Sequence, residues 1–303
     1  MVRLDVTENL SGISTTQAVV TALPALSGYN LKKMLRGGDI RLNGARIRKD
    51  YETAVGDIIE VYLPEELQGA PELDVVYEDR NILILNKRPG WLVQAPAGSG
   101  ERDMLTLVRQ YMIDEHEYIE ELGCIAFAVD NLDQFTGGLT MFAKNAESFD
   151  YLRLSARQRR IRRVFQAIVV GRPPHDRGEF QHFYLKDGRR EGIYSDKPPG
   201  GVPIYTRYKV LNTSGAYSLL EVEPVTGYLN QERMHLTAAG YPIVGDPVYG
   251  DPRVNRKTGI RYQALWSTEV GFATGVNNIL EYLNGRCVRT KDILFPLVNL
   301  AAD

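Results

Sequence analysis

Apolar residues in the N-terminal part of the chain recur first with a helical period and then with a strand period. Thr15–Leu35 predicts helical structure, because its apolar residues recur at spacings of three and four. The segment "DIRLNGARIRKD" predicts a hairpin, since Asn43 and Gly44 tolerate the positive φ angles of a tight turn between strands. "VGDIIEVYL" predicts a further strand. We therefore expect residues 1–63 to form a small α+β domain.

A stretch in which Pro, Gly and acidic residues replace this periodicity, "PEELQGAPEL" at 64–73, predicts a linker. The remaining residues, 74–303, then form a second domain. Short apolar runs such as "NILILNK" and "VFQAIVVG" alternate there with amphipathic segments, but without a strict strand-helix-strand order or a glycine-rich phosphate loop. This pattern favours an α+β sheet domain over a nucleotide-binding fold.

Length and composition are those of a globular protein. The chain has 303 residues, of which 44% are hydrophobic, enough for about two domains. Its two cysteines, Cys124 and Cys287, are far apart in sequence, so neither a disulfide framework nor a zinc site is expected. The start of the chain has no apolar core of signal-peptide length, and no later run approaches a membrane span. We therefore expect a soluble, cytoplasmic protein.

The formal net charge of −2 conceals two basic segments. Residues 32–49 contain seven Lys or Arg against one acid, Asp39. Residues 153–163 contain six arginines and no acid. Basic runs are often no more than solvated faces, but two of them in a nearly neutral chain favour a nucleic-acid partner.

A candidate catalytic group lies in "AVDNLDQFTGGLTMFAKN". Asp130 and Asp133 precede a Thr-Gly-Gly turn and an apolar strand, an arrangement that mounts a carboxylate on a rigid loop. An aspartate before a turn is usually a capping residue, so these residues alone do not decide the question. A pair of carboxylates would also suit a glycosidase acting on nucleosides, although that function leaves the basic N-terminal domain unexplained.

The N-terminal domain resembles a small RNA-binding module first described in a small-subunit ribosomal protein. The resemblance covers roughly residues 11–63 and is carried by "LKKMLRGGDIRLNG" and "VGDIIEV". It implies RNA binding by the basic side chains of the helix and hairpin: Lys32, Lys33, Arg36, Arg41, Arg46 and Arg48.

The second domain resembles the RluA-type pseudouridine synthases. The resemblance is carried, in order, by "VVYEDRNILILNKRPGWLV", "NLDQFTGGLTMFAKN", "RRVFQAIVVGRP", "TRYKVL" and "EPVTGYLNQERMHLTAAGYPIVGDPVYG". It implies a mixed, largely antiparallel sheet crossed by an RNA cleft and no cofactor. The implied activity is that of an isomerase that converts uridine to pseudouridine in structured RNA, either rRNA or tRNA. The target uridine and the oligomeric state stay open.

Position in the family motifs implies roles for individual residues. Asp133 matches the catalytic aspartate that closes the pattern His-Arg-Leu-Asp, whereas Asp130 does not. Arg233 matches the arginine that pairs with this aspartate, and a carboxylate at a reaction centre needs such a cation to stay ionised. Phe165 takes the place of a tyrosine that packs against the uracil; it keeps the ring and loses the hydroxyl.

Five positions depart from the family pattern: Asp130, Asn131, Tyr228, Asn230 and Glu232. Asn131 replaces an arginine that enters the RNA base stack, and Tyr228 offers a ring that can stack on an exposed base; both are expected to contact RNA. These changes leave an alternative open, a non-catalytic RNA-binding or ribosome-assembly protein that kept the fold. Retention of both Asp133 and Arg233 favours the enzyme.

Overall fold

The structure, a computed structural model, divides the chain into two compact units. It describes residues 2–22, 28–62, 73–96, 99, 103–119, 124–188, 190–260, 262–290, 293 and 295, with backbone alone at 28–30, 32, 33 and 190. The first unit is Met1–Glu72 with Gly90–Val108, and the second is Leu73–Pro89 with Arg109–Asp303. The linker expected at 64–73 lies outside the described residues except for its last position, Leu73.

The first unit contains a four-stranded antiparallel sheet in the order β1-β4-β2-β3 and two helices. Its elements are β1 (Val2–Asp5), α1 (Thr15–Ala22), α2 (Gly28–Gly37), β2 (Ile40–Leu42), β3 (Ala45–Arg46) and β4 (Ile58–Val61). The helical structure expected over Thr15–Leu35 is present as two helices, α1 and α2. The expected hairpin joins β2 to β3, and Asn43 and Gly44 have φ angles of 51° and 79°.

The core of this unit comes from one face of each element. Val19 of α1 and Leu31 of α2 pack with Ile40, Ile59 and Val61 of the sheet, and all five side chains are buried. Apolar residues that recur with the period of each element thus meet in one cluster.

The second unit is built on a large sheet. Its strands are β5 (Val75–Glu78), β6 (Ile82–Lys87), β7 (Phe127–Ala128), β8 (Gly137–Ala143), β9 (Ile161–Val170), β10 (Arg177–Asp187), β11 (Arg190–Tyr194), β12 (Val202–Ser214), β13 (Tyr217–Pro224), β14 (Leu265–Phe272) and β15 (Cys287–Arg289). The helices are α4 (Ala146–Arg157), α5 (Gln231–Ala238) and α6 (Pro252–Thr258), and the division between the units falls within α3 (Met104–Asp114). No helix in the described ranges is long and apolar enough to cross a membrane.

The strand order is β11-β10-β12-β13-β9-β14-β8-β6-β5, with β15 paired to β14 and β7 to β8. Among the described strands, every pairing is antiparallel except that of β8 with β14. This confirms the expected α+β class with a mixed, largely antiparallel sheet. The central strands β6 and β8 are buried along their whole length, as their continuous apolar runs suggest.

The parallel pairing of β8 with β14 depends on the two glycines before the apolar run. A Cβ at Gly137 would lie 2.3 Å from the Trp266 ring, and a Cβ at Gly138 would lie 2.2 Å from the Ser267 backbone oxygen. The buried Trp266 indole donates to Asn86 Oδ1 at 3.1 Å, so its polar atom has a partner. Close approach at the start of β8 fixes the position of the preceding loop, which carries Asp133.

Candidate active site

The loop that carries Asp133 is tied to the sheet around it. The Thr136 N–H donates to the Asp133 backbone oxygen at 3.1 Å, and Gln263 donates to Thr136 Oγ1 at 3.0 Å. The buried ammonium of Lys87, at the end of β6, donates to the backbone oxygen of Gln134 at 3.0 Å. These bonds fix the backbone, and the Asp133 side chain keeps 29% of its surface exposed. Its carboxylate is therefore both positioned and accessible.

The carboxylate of Asp130, three residues before Asp133, is bound by other groups of the protein. It accepts from Thr140 Oγ1 at 2.8 Å and from the Met141 N–H at 3.1 Å, and it forms an ion pair with Arg163 of β9. Arg163 also donates to the Leu139 backbone oxygen at 2.9 Å. Asp130 therefore anchors the loop to β8 and β9, where the family has a histidine.

Arg233 of α5 joins two carboxylates. Its Nη1 donates to Asp133 Oδ2 at 2.9 Å, while Nε and Nη2 donate to the two Asp246 oxygens at 2.7 and 2.8 Å. Asp246 is completely buried and also accepts from the backbone N–H groups of Val248 and Tyr249, each at 2.9 Å. The two-bond pairing with Asp246 sets the orientation of the guanidinium, so that Nη1 is left to face Asp133.

The charge balance at Arg233 is set by competing effects. Burial alone would lower the pKa of Arg233, but the hydrogen bonds and charge of Asp246, and then those of Asp133, raise it above its usual range. The guanidinium also lies 5.0 Å from the centre of the Tyr249 ring. Arg233 thus stays cationic beside Asp133 at any pH at which the protein is folded.

Asn230, at the N-cap of α5, supplies further donors to Asp133. With its amide nitrogen facing the carboxylate, Asn230 donates to Oδ1 and Oδ2, each at 3.0 Å. Its φ angle of 54° is left-handed, a conformation that asparagine tolerates better than most residues. Replacement of the family histidine by asparagine therefore preserves a donor at this point.

Two further ionisable groups have pKa values shifted toward neutrality. Burial raises the pKa of Glu232 to about 7, and the charge of Asp133 adds to the rise. Burial lowers the pKa of Lys87 to about 7, although the charge of Asp133 opposes this shift. Groups with shifted pKa values gather at reaction centres more often than elsewhere on a protein.

The start of α5 is fixed by a buried polar network. Gln231 donates to the Tyr205 backbone oxygen at 2.7 Å and to Thr206 Oγ1 at 3.0 Å. His235 lies 2.8 Å from Thr206 Oγ1 and 2.9 Å from Nδ1 of His182, and burial lowers the pKa of His235 to about 4. The helix that carries Arg233 is thereby held against β12 and β10.

The sequence profile of the RNA pseudouridylate synthase family matches residues 81–238. The chain belongs to this family. It is therefore an RNA pseudouridine synthase, an isomerase. A relative from Chloroflexus aurantiacus, described as an uncharacterized RNA pseudouridine synthase, is 35% identical over 77% of this chain and 73% of its own length.

Other relatives agree with this assignment, and a solved structure shares the fold. Ribosomal large subunit pseudouridine synthase C of Vibrio parahaemolyticus is 25% identical over 84% of this chain and 82% of its own. Ribosomal large subunit pseudouridine synthase D of Neisseria meningitidis is 29% identical over 82% of this chain and 67% of its own. The structure of human RNA Pseudouridylate Synthase Domain Containing 1 shares the fold, with a TM-score of 0.57 and 22% identity over 74% of this chain and 85% of that chain.

The other residues expected at the synthase site lie at defined places. Phe165 is buried on β9, two residues from Arg163, so both side chains project from the same face of the sheet. Tyr228 stacks on Tyr184, with 4.3 Å between ring centres, and is half-buried. Asn131 is exposed, two residues before Asp133.

The basic residues expected to bind RNA in the first unit fall into two groups. Arg36, Arg46 and Arg48 are exposed, and the side chains of Lys32 and Lys33 lie outside the described residues. Arg41 is half-buried, with its guanidinium 4.7 Å from the centre of the Tyr62 ring.

Several residues that the structure brings to the synthase site were not predicted from the sequence: Lys87, Arg163 and Asp246. Lys87 and Asp246 lie within the quoted segments "NILILNK" and "PIVGDPVYG", and a charged residue inside an apolar run is the signal that marks them. Arg163 belongs to a basic run and precedes Phe165 in the matched motif Arg163-Val164-Phe165, but the sequence predicted no role for it. Within the part of the chain that the structure describes, no group of three His, Cys, Asp or Glu side chains has the arrangement of a metal site.

Proposed function

We propose that this synthase isomerises uridine in ribosomal RNA with Asp133 as its catalytic carboxylate. The reaction breaks the bond between N1 of uracil and C1′ of ribose and forms a bond from C5 to C1′. C5 then loses its proton and N1 gains one, so that the product is an isomer of the substrate. A carboxylate beside the sugar assists by attacking it or by taking a proton from it while the uracil turns. Asp133 supports this role because its carboxylate is accessible and accepts hydrogen bonds from Arg233 and Asn230.

The observation that carries the proposal is the chain of charges Asp133–Arg233–Asp246. Arg233 is buried, oriented by Asp246 and hydrogen-bonded to Asp133. A cation fixed in this way lowers the free energy of the ionised carboxylate without moving during the reaction.

The departures from the family pattern support an active site that has been altered. Asp130 pairs with Arg163, and the amide of Asn230 donates to Asp133. Tyr228 stacks on Tyr184. If the site had lost its function and its residues had changed at random, the new polar side chains would lack hydrogen-bond partners. A buried polar group without a partner destabilises the fold. The non-catalytic alternative is therefore the weaker one.

The names of the two ribosomal synthases among the relatives support a large-subunit rRNA target. The first unit supports RNA docking, because Arg41 and Arg46 lie directly opposite each other on β2 and β3. Like charges at such a cross-strand pair destabilise the free protein and are relieved by a polyanion. A ribosomal target, together with only two cysteines that are far apart in the sequence, also supports a cytoplasmic location.

The test is a pseudouridine map of rRNA from cells with and without this gene, followed by complementation with Asp133→Asn. Sites that vanish with the gene should return with the wild-type protein and not with Asp133→Asn. Purified Asp133→Asn should convert an in vitro rRNA transcript about 10⁴-fold more slowly, equivalent to about 5.4 kcal/mol of transition-state stabilisation.

Asp130→Asn is the matched control, since it alters a carboxylate on the same loop. It should lose stability while keeping measurable turnover. The proposal fails if Asp130→Asn is inactive and Asp133→Asn is active. Unchanged pseudouridine maps and no turnover of any RNA by the wild-type protein would favour the non-catalytic alternative.

A further inference from the structure

The basic run at 153–163 is not one uniform surface. Three of its arginines are already paired with acidic residues: Arg153 with Asp150, Arg162 with Glu223 and Glu269, and Arg163 with Asp130. The other three, Arg157, Arg159 and Arg160, are exposed, and no described side chain forms a hydrogen bond or ion pair with them. Positive charge without an internal partner is therefore concentrated where α4 ends and β9 begins.

Arg159 occupies a position that usually takes glycine. Helix α4 ends with the Arg160 N–H bonded to the Ser155 oxygen at 2.8 Å and the Arg159 N–H bonded to the Ala156 oxygen at 3.2 Å. In this type of helix end the residue at the place of Arg159 is left-handed, and its φ angle is indeed 60°. A side chain is strained there, and such strain is found most often at functional positions.

The Arg159 side chain is directed toward the segment between β13 and α5. A Cβ at position 227 would lie 1.6 Å from Nη1 of Arg159, so the guanidinium rests in the space that only a glycine leaves open. Gly227 precedes, by three residues, Asn230, whose amide donates to Asp133. The left-handed backbone at Arg159 and the missing side chain at Gly227 together bring an unpaired cation to the edge of the active site.

We propose that Arg157, Arg159 and Arg160 form a binding surface for RNA phosphates beside the active site, with Arg159 the contact nearest to the target nucleotide. The inference rests on the proposed function, because it concerns the substrate of the same site. The surface suits the phosphate backbone: guanidinium groups bind phosphate oxygens in pairs of hydrogen bonds, and the bonds carry no sequence information. It also supplies a cation near position 228, where this chain has tyrosine in place of the family arginine.

The first test measures binding of an unmodified large-subunit rRNA transcript at several salt concentrations. Each phosphate contact contributes roughly 0.7–0.9 to the slope of log affinity against log salt, or about sixfold in affinity at ~0.1 M salt. Arg159→Gln and Arg160→Gln should each lower the slope by about that amount. Arg162→Gln is the matched control, since its charge is already offset by Glu223 and Glu269, and it should leave the slope unchanged.

Two further variants separate this role from a structural one. Arg159→Gly relieves the left-handed strain, so it should raise the melting temperature by about 2 °C while weakening RNA binding about sixfold. Gly227→Ala displaces the guanidinium, so it should weaken binding in the wild type and add little to Arg159→Gln. These two substitutions, alone and combined, form a double-mutant cycle. Nearly additive losses of affinity in this cycle would be evidence against a contact between Arg159 and RNA.

The outcomes also separate this surface from the proposed function. If the wild-type protein forms pseudouridine in the transcript and the triple variant Arg157→Gln/Arg159→Gln/Arg160→Gln binds it with an unchanged salt slope, the surface is refuted and the function stands. If the triple variant reaches the wild-type single-turnover rate only at higher RNA concentration, the surface is supported. A wild-type protein that binds through these arginines without turnover would refute the proposed function and not the surface.

Discussion

Arg233 Nη1 lies 2.9 Å from Asp133 Oδ2 and joins helix α5 to the loop before β8. The two residues are 100 positions apart in sequence, so the bond forms only when the sheet between them is complete. Because Asp246 holds the other edge of the guanidinium, loss of Arg233 would leave two carboxylates without their shared cation.

Arg233→Met should therefore destabilise the protein by roughly 3–5 kcal/mol, the usual cost of removing one member of a buried ion pair. Single-turnover conversion of RNA should also fall strongly in any fraction that folds. Chemical denaturation followed by circular dichroism measures the first effect, and conversion of an rRNA transcript measures the second.

Salt dependence distinguishes this role from RNA contact. The slope of log affinity against log salt should be unchanged in Arg233→Met, because the guanidinium is already saturated by two carboxylates. A variant with normal turnover and a slope smaller by about one unit would mean that Arg233 contacts a phosphate instead.

Glu232 should give the protein a pH-dependent stability that Glu232→Gln lacks. Its pKa is raised from 4.5 to about 7 by burial, so the folded state holds the proton more tightly than the unfolded state does. Stability contributed by the protonated form is then present below about pH 4.5 and is lost as pH rises through 7. Asp133, Arg163 and Arg233 are the charged groups that face it.

The stability of Glu232→Gln relative to wild type should therefore rise between pH 5 and pH 8, by on the order of 2 kcal/mol. Chemical denaturation of both proteins at several pH values measures this difference in stability. Because both proteins contain Lys87, the effect of its titration largely cancels in the comparison. A difference that does not change with pH would show that Glu232 is ionised throughout.

The sequence predicts local structure and motif positions better than it predicts polar partners. The Asn43-Gly44 turn follows from backbone preferences, and the residues around Asp133 follow from a continuous motif. The bond between Asp130 and Arg163 depends on β9 and β8 both lying beside β14, an order that no local pattern specifies. The role of Asp246 cannot be predicted for the same reason. Its partner, Arg233, lies on α5, and the position of that helix depends on the whole sheet.

Gly137→Ala should destabilise the second unit by roughly 1–3 kcal/mol, since its Cβ would overlap the buried Trp266 ring at 2.3 Å. Displacement of β14 would also move the Asp133 loop, so turnover should fall with stability. Gly271→Ala is the control: it lies on β14, and its Cβ would make an ordinary contact of 3.4 Å with Cys287. Equal melting temperatures for the two variants would contradict the packing argument.

The hairpin of the first unit should contribute to RNA affinity through charge alone. Arg46→Gln/Arg48→Gln should lower the slope of log affinity against log salt by about 1.5 units and leave the single-turnover rate at saturating RNA unchanged. Stability should not fall, because Arg46 faces Arg41 across the hairpin and its neutralisation removes a repulsion. A lower single-turnover rate at saturating RNA would show that the hairpin contributes to the catalytic step and not only to RNA binding.

Asn131 should restrict this synthase to uridines that are already unstacked. In the family pattern an arginine at this place enters the base stack as the target leaves, which offsets part of the few kcal/mol needed to extrude a base. Asn131 is exposed on the Asp133 loop but is too short and uncharged to do so. Tyr228 is a poor substitute in the free protein, because its ring is already stacked on Tyr184. Turnover should therefore fall steeply when the target uridine is moved from a loop to a stable helix. Asn131→Arg should raise the rate on the helical target and change the loop target little, whereas equal wild-type rates on the two RNAs under single-turnover conditions would exclude this explanation.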